Sequence, residues 1–328
     1  MAQEVLIQVK DLLTQFRLDD GLLTAVNGIS FEIHKGETLG IVGESGCGKS
    51  VTALSLLNLI EPPGKVAGGE ILCDGVNVLK MNKRELRSFR GNQIAMVFQE
   101  PMTSLNPVFT VGNQIDEVIR IHNRVSSHEA RERTIELLRL VNIPLPEQRY
   151  GEYPHQLSGG MRQRVMIAMA LACNPKLLIC DEPTTALDVT VQAQVLKLIN
   201  KLKRQMDMAI MLITHDLAVI SSIADRVIIM YAGQIVEEAI EREIFTNPLH
   251  PYTEALLKSI PSLSKNTEEL YMIKGMVPNL LQRHEGCLFA PRCEYAREIC
   301  RSVEPSSCLV GNTKVLCHKY MDDWEVAP

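Results

Sequence analysis

The sequence predicts an α/β fold, and three observations support this prediction. A short apolar run with β-branched residues, Thr38–Val42, is followed by helical spacing over residues 49–59, and a glycine-rich stretch joins the two. Two further runs, at 176–181 and 209–214, have the continuous apolar character of buried parallel strands. The 328 residues leave room for a full α/β domain and a smaller additional module.

The glycine-rich stretch fits a phosphate-binding loop at every fixed position. Its glycines allow the backbone N–H groups to point at phosphate oxygens, helped by the positive end of the following helix. Lys49 adds a charge for the terminal phosphates, and the Ser50 hydroxyl is expected to bind Mg²⁺. A glycine-rich turn without function is the alternative, which the fixed Gly-Lys-Ser and its context disfavour. The candidate nucleotide residues are Gly43, Glu44, Ser45, Gly46, Cys47, Gly48, Lys49, Ser50 and Val51.

Two adjacent acids, Asp181 and Glu182, end the apolar run that begins at residue 176. Ligands collect at the carboxyl ends of parallel strands, so Asp181 is expected to hold Mg²⁺ and Glu182 to orient and deprotonate an attacking water. An ordinary acidic turn is the alternative for this run by itself. His215 follows the run at 209–214 and is a candidate γ-phosphate contact.

These motifs, with three others in a fixed order, resemble the nucleotide-binding subunits of ATP-binding cassette (ABC) transporters. Gln99 in Met-Val-Phe-Gln-Glu-Pro resembles the Q-loop glutamine, residues 157–161 the signature, residues 186–188 the D-loop and His215 the switch histidine. The resemblance covers about the first 240 residues. It implies an ABC-type P-loop nucleotide-binding domain with a mixed sheet core, an antiparallel β part and a helical subdomain at about 103–172.

The signature is a second anion site within one chain. Ser158 is a good helix N-cap, and Gly159 and Gly160 bare the first N–H groups of the helix. The resemblance implies that the signature of one subunit closes over the γ-phosphate bound by another. Asp188 of the D-loop belongs to the candidate nucleotide-binding residues and is expected to cap a helix that runs through Gln205. The resemblance also implies that Gln99 senses the γ-phosphate and contacts Mg²⁺. Met161 departs from the glutamine usual in the family, which leaves the backbone phosphate contact intact.

Composition excludes several other functions. The net charge of −5 and a pI near 6.0 provide no basic field for nucleic acid. No apolar run approaches the roughly 18 residues of a membrane span, and the first residues lack the features of a signal peptide. We therefore expect a cytosolic chain that acts at the cytoplasmic face of the inner membrane, with separate subunits forming the channel.

Adenine recognition has one candidate. Phe16 lies in the first strand region, where the family often stacks an aromatic ring on the base. A role as a strand core residue is the equally weighted alternative.

The residues that follow the predicted nucleotide-binding domain resemble those of a particular class of ABC transporter. We predict a nucleotide-binding domain over 1–246 and an extension over 247–328. The stretch around His250, Pro251 and Tyr252 resembles the start of the extension in ATPase subunits of oligopeptide, dipeptide and nickel importers. It predicts a helix that begins at Pro251 and ends at Pro261.

Five cysteines within this extension suggest a metal group, because a cytosolic compartment keeps thiols reduced. Their spacing is looser than that of zinc knuckles. The resemblance implies that four of them hold a 4Fe-4S cluster and that Cys308 is a free thiol. A structural zinc with His318 replacing a cysteine is the alternative, followed by thiols without metal. The implied cluster ligands are Cys287, Cys293, Cys300 and Cys317.

The expected function is that of an ATPase subunit of a dipeptide or oligopeptide importer. The resemblance implies a second ABC ATPase subunit, with a heterodimer favoured over a homodimer, and two transmembrane permease subunits. An extracytoplasmic binding protein would deliver the substrate, so contact with it is indirect. Transport of nickel or another small solute stays open. A non-transport ABC ATPase is disfavoured because the chain has one cassette and no basic patch.

Overall fold

The structure is a computed structural model that describes residues 4–99, 104–185, 187–260, 272–281, 285–321 and 324. The strands are β1 (Val5–Leu18), β2 (Gly21–His34), β3 (Thr38–Val42), β4 (Gly64–Cys73), β5 (Val76–Asn77), β6 (Ile94–Val97), β7 (Leu177–Asp181), β8 (Ala209–Ile213), β9 (Arg226–Tyr231), β10 (Gln234–Ile240), β11 (Ser307–Val310) and β12 (Thr313–Leu316). The α-helices are α1 (Lys49–Leu56), α2 (Lys83–Asn92), α3 (Val111–Asn123), α4 (Ser127–Leu140), α5 (Pro146–Arg149), α6 (Gly159–Leu171), α7 (Val189–Met206), α8 (Leu217–Ile223), α9 (Glu241–Thr246), α10 (Pro251–Lys258) and α11 (Glu298–Ser302).

The chain divides into two compact units, of which the first contains the predicted phosphate loop. This loop unit comprises residues 5–33, 38–79 and the described residues from 213 onward. One group of its strands has the order β2-β1-β4-β5, with β1 and β4 antiparallel. A second group has the order β11-β12-β10-β9-β3. Because β3 runs parallel to β9 whereas β10 runs antiparallel to β9 and β12, the sheet is mixed, as the sequence predicts.

The second unit, the helical unit, comprises Glu4, residues 34–37 and the described part of 80–212. Its strands follow the order β8-β7-β6, and β6 runs parallel to β7. Helices α3, α4 and α6 contact one another within the predicted helical region. The hydroxyls of Thr134 and Tyr150 donate hydrogen bonds to the Asp116 carboxylate on α3, at 2.6 and 2.5 Å. These bonds fix α3 against α4 and the segment that leads to α6.

Local signals in the sequence explain where the elements start. Every residue of β3, β7 and β8 is buried, which is why these strands are continuous apolar runs. The Asp188 carboxylate accepts a hydrogen bond from the Val191 N–H at 2.9 Å and so caps α7, as predicted. Helix α1 ends at Leu56, three residues earlier than predicted, and Asn58 has a left-handed φ of +49°.

The extension joins a sheet of the loop unit. The predicted helix begins at Pro251 as α10 and ends at Lys258, while Pro261 lies outside the described residues. Further along, the hairpin of β11 and β12, which the sequence did not predict, pairs with β10 so that Glu237 lies opposite Val315. Among the residues that the structure describes, no helix is long and apolar enough to cross a membrane.

Candidate functional site

The predicted phosphate loop connects β3 to α1, and its shape depends on glycine. Gly46 and Gly48 have φ values of +79° and +101°, a region that favours residues without a Cβ. A Cβ at Gly43 would lie 2.2 Å from the Met230 carbonyl oxygen. The N–H of Gly233, in the turn between β9 and β10, donates to a loop carbonyl at 3.0 Å. The tight curvature predicted from the sequence is therefore present.

Lys49 lies inside this loop. Its side chain is buried, and its Nζ donates hydrogen bonds to the carbonyl oxygens of Gly43 at 2.8 Å and Glu44 at 3.0 Å. Burying an ammonium is costly unless polar groups compensate for the lost water, and the two carbonyls do so here. Ser50 and Val51 follow in the first turn of α1, and Ser45 and the buried Cys47 complete the loop. The Lys49 ammonium is therefore held inside the loop that the sequence predicts to bind the terminal phosphates of a nucleotide.

The contacts of Glu44 were missed by the sequence reasoning. Its N–H donates to the Tyr252 hydroxyl at 2.9 Å, and its carboxylate accepts two hydrogen bonds from Arg292 at 2.7 and 2.9 Å. Arg292 is 248 residues away in the chain, so no local pattern could have revealed the pair. The extension therefore contacts the phosphate loop directly.

In the helical unit the structure brings together the candidate base and the candidate Q-loop residue. Asp181 is buried at the end of β7, and Glu182 follows it. The Gln99 side-chain amide donates to Glu182 Oε2 at 3.0 Å, and the Thr185 hydroxyl donates to the same oxygen at 2.9 Å. The Glu182 carboxylate is thus held by two neutral donors.

Glu182 also has a strained backbone. Its φ of +46° is in the left-handed region, which costs a residue other than glycine of order 1–3 kcal/mol. Such strain clusters at functional positions. This backbone turn directs the chain away from β7 directly after Asp181.

The candidate histidine lies in the loop unit. His215 is exposed and directly follows Thr214, whose N–H donates to the Ile41 carbonyl of β3 at 3.2 Å. Asp216 then caps α8 by accepting hydrogen bonds from the Ala218 and Val219 N–H groups. The cap fixes the turn that presents the His215 side chain to solvent.

The predicted signature forms the N-terminus of α6. The Ser158 hydroxyl accepts a hydrogen bond from the Met161 N–H at 3.4 Å, as expected for an N-cap. Ser158 and Gly159 are exposed, while a Cβ at Gly160 would lie 2.7 Å from the Val191 side chain on α7. Asp188, which caps α7, is exposed as well. Of the D-loop, Ala186 lies outside the described residues.

The predicted adenine contact, Phe16, is half-buried at the end of β1. It lies opposite Gly64 of β4, where a Cβ would lie 2.5 Å from the Phe16 ring. The packing accounts for the glycine at this position, and the role of the ring in base binding stays a prediction.

Four cysteines of the extension line one cavity, and the fifth lies apart. The predicted set of Cys287, Cys293, Cys300 and Cys317 shares this cavity with His318. Burial raises the pKa of Cys293 to about 11 and that of Cys317 to about 12. Cys308 instead has its sulfur 3.6 Å from the Val315 carbonyl oxygen on the neighbouring strand.

A buried histidine nitrogen is unsatisfied in this region. His318 Nε2 lies 2.8 Å from the Val303 carbonyl oxygen, so Nε2 carries hydrogen, and Nδ1 has no hydrogen-bond partner among the described residues. Within the same described residues, no group of three or more His, Cys, Asp or Glu is arranged to hold a metal ion. The four thiols and the orphaned nitrogen nevertheless provide the donor types that a metal group requires.

Comparisons with known proteins agree with these motifs. Residues 26–185 match the ABC transporter family, and residues 236–300 match the oligopeptide/dipeptide transporter C-terminal region. In the solved structures, a post-hydrolysis dimer of the ATP-binding cassette MJ0796 bound to ADP and Pi matches with a TM-score of 0.64 and 29% identity, covering 72% of this chain and 99% of the cassette.

Curated relatives match this chain over nearly its whole length. The probable peptide ABC transporter ATP-binding protein y4tR of Sinorhizobium fredii is 54% identical, covering 92% of this chain and 91% of the relative. The dipeptide transport ATP-binding protein DppD of Haemophilus influenzae is 49% identical, covering 97% of this chain and 96% of the relative. The oligopeptide transport ATP-binding protein OppD of Bacillus subtilis is 50% identical, covering 98% of this chain and 89% of the relative. The chain therefore belongs to the ABC transporter family of ATP-binding proteins, in the group that carries the oligopeptide/dipeptide transporter C-terminal region.

Proposed function

We propose that this chain is the ATP-hydrolysing subunit that powers an importer of dipeptides or oligopeptides. The observation that carries the proposal is the combination of a formed phosphate loop, a Glu182 carboxylate held by Gln99, and near full-length similarity to peptide transport ATP-binding proteins. The assignment of peptides as the transported substrate rests on the names of those relatives. The assignment of ATP hydrolysis rests on the residues of the phosphate loop and on Glu182.

For nucleotide binding, the loop N–H groups and Lys49 take the phosphates of ATP. Mg²⁺, held by Ser50, Asp181 and Gln99, would neutralise charge on the phosphate oxygens. Glu182 orients the attacking water and accepts its proton, and His215 contacts the γ-phosphate. The bonds that Gln99 and Thr185 donate to Glu182 keep its carboxylate in one orientation.

The exposed signature supports a dimer. Ser158, Gly159 and Gly160 present the N-terminus of a 13-residue helix, and Asp188 lies exposed at the start of α7. We propose that these residues close over the γ-phosphate held by a second, different ATP-binding subunit. Binding of ATP then favours the closed dimer and hydrolysis releases it.

Partners and location follow from the proposed importer. Two transmembrane permease subunits supply the channel, and an extracytoplasmic binding protein delivers the substrate to them. The chain then works at the cytoplasmic face of the inner membrane without touching the peptide. We assign the cassette domain to 1–246 and the extension to 247–328. Strand β12, which lies in the extension, pairs with β10, which lies in the cassette domain.

The function is tested by uptake in cells that carry this chain with its neighbouring transport genes. Radiolabelled dipeptide and oligopeptide uptake should fall to background when the chain carries Glu182→Gln. Nickel uptake, measured in the same cells, should not change. Loss of nickel uptake with unchanged peptide uptake would instead identify a nickel importer, and unchanged uptake of every solute would contradict a transport role.

For the extension, we propose a 4Fe-4S cluster held by Cys287, Cys293, Cys300 and Cys317. The shared cavity of these four side chains supports this ligand set, and the separate position of Cys308 leaves it as a free thiol. A cluster held in this way supplies a redox-active group with charge and bulk. A zinc ion with His318 among its ligands is the alternative, for which the unsatisfied Nδ1 atom is the specific observation.

Metal analysis of anaerobically purified protein distinguishes the 4Fe-4S cluster from the zinc ion. We expect about four iron atoms per chain and a broad visible absorption band for the wild type. Cys293→Ser should lose most of the iron, whereas Cys308→Ser, the matched control in the same extension, should keep it. Stoichiometric zinc without iron, or equal iron loss in both variants, would contradict the cluster.

A further inference from the structure

The phosphate loop is supported from the extension through one of its own residues, Glu44. Arg292 Nη1 donates to Glu44 Oε2 at 2.7 Å and Nη2 donates to Oε1 at 2.9 Å, which is a bidentate pair. The Arg292 side chain is 4% exposed and that of Glu44 is 27% exposed. The Tyr252 hydroxyl accepts the Glu44 N–H at 2.9 Å. Both the backbone and the side chain of Glu44 are therefore fixed.

The groups that hold Glu44 are themselves fixed. The Arg292 Nε donates to the Lys274 carbonyl at 3.1 Å, and the Tyr231 hydroxyl lies 3.3 Å from Arg292 Nη1. The Tyr252 ring is fully buried and packs on the rings of Tyr231, at 4.7 Å between centroids, and Phe289, at 5.4 Å. The guanidinium and the phenol thus belong to a rigid aromatic cluster.

Helix α10 fixes the backbone of Tyr252. The His250 ring caps this helix by accepting the Tyr252 N–H at Nδ1, at 3.0 Å. Burial lowers the pKa of His250 to about 3, so the ring stays neutral and able to accept this bond at physiological pH. The Glu237 carboxylate of β10 accepts the Leu249 and His250 N–H groups at 2.8 and 3.0 Å.

The charges of Arg292 and Glu44 give this ion pair a second role, in addition to fixing the loop. Glu44 directly follows Gly43 in a loop that binds polyphosphate, so an uncompensated carboxylate there would repel the ligand. The bidentate guanidinium neutralises that carboxylate, and the partial burial of the pair reduces its screening by salt. Geometry and charge therefore both connect Arg292 to the affinity of the loop for phosphate.

We propose that Arg292 and Tyr252 are positioning residues of the phosphate loop, through which the extension sets the affinity of the chain for ATP. The proposal rests on the proposed function, in that the loop must bind ATP. It assigns a role to the extension that does not depend on contact with a partner subunit.

The test measures ATP dissociation constants and steady-state hydrolysis with full-length variants. Arg292→Gln should weaken ATP binding by about tenfold or more, because it removes the bidentate pair and leaves the Glu44 carboxylate uncompensated beside the phosphates. Tyr252→Phe should weaken it by about fivefold. Both should raise KM and leave kcat within about twofold, because Glu182 and Gln99 are unchanged. Tyr150→Phe is the matched control, since it removes a hydroxyl that donates to the Asp116 carboxylate at 2.5 Å within the helical unit.

A second substitution separates positioning from general support of the fold. In the Glu44→Gln background the guanidinium has no carboxylate to hold or neutralise, so adding Arg292→Gln should weaken ATP affinity by less than about threefold further. If Arg292→Gln does not fold, Arg292→Lys with Tyr252→Phe replaces it and should still raise KM. Wild-type affinity in the Arg292 and Tyr252 variants, or an equal loss with and without Glu44→Gln, would overturn the proposal while ATP binding by the wild type stands. A wild-type chain that binds no ATP would overturn the proposed function as well.

Discussion

Replacing Glu182 with glutamine is expected to reduce the ATP turnover rate by about 100-fold or more, because a positioned general base contributes about 10²–10⁴-fold to such reactions. The amide oxygen can still accept the hydrogen bonds that Gln99 and Thr185 donate, so the local geometry is kept. The amide cannot accept a proton from water. ATP binding should therefore persist, and the ATP-bound closed dimer should accumulate.

Two measurements test this result. Phosphate release gives the turnover rate, and size-exclusion chromatography with ATP and the partner subunit gives the fraction of closed dimer. Glu129→Gln is the matched control, because Glu129 pairs with Arg133 on the exposed surface of α4 and should have no effect on turnover. Turnover at the wild-type rate in Glu182→Gln would refute the assigned base.

Replacing Lys49 with alanine is expected to weaken nucleotide binding itself, by about tenfold to one hundredfold. The change removes the charge directed at the terminal phosphates. It also leaves the Gly43 and Glu44 carbonyls without the ammonium that now holds them at 2.8 and 3.0 Å. Both effects lower affinity for ATP and for ADP.

Isothermal titration with ATP and with ADP measures this loss. Lys65→Ala removes an exposed lysine from β4 and serves as the control, with unchanged affinity expected. Tight nucleotide binding by Lys49→Ala would count against the assignment of the phosphate loop. The two variants together separate binding from chemistry, since Glu182→Gln affects only the second.

Local signals explain why much of the fold was predictable. The five residues of β3 and the Asp188 cap of α7 are encoded by hydrophobicity and side-chain hydrogen bonding within a few residues. Helix α1 ends before the predicted residue 59: apolar residues continue past Leu56, but the left-handed turn at Asn58 ends the helix. Helix ends are set by backbone geometry, which composition describes poorly.

The long-range contacts could not be predicted in this way. Nothing near Glu44 in the sequence indicates a guanidinium from Arg292, and nothing near β10 indicates that β12 becomes its neighbour. The cysteine set is implied by a family resemblance rather than by local spacing, and the fold gathers its four side chains in one cavity. The unsatisfied Nδ1 of His318 also depends on burial that only the folded chain reveals.

The sequence separation of the Glu44–Arg292 pair has a consequence for synthesis of the chain. The two residues are 248 positions apart, so at about 5–20 residues per second a ribosome makes Arg292 roughly 10–50 s after Glu44. During that interval the glycine-rich turn can form, while the guanidinium that neutralises Glu44 does not yet exist. A nascent chain, or one broken before Arg292, should therefore be a poor competitor for cellular ATP. High affinity for ATP would then mark a polypeptide that has been translated past Arg292.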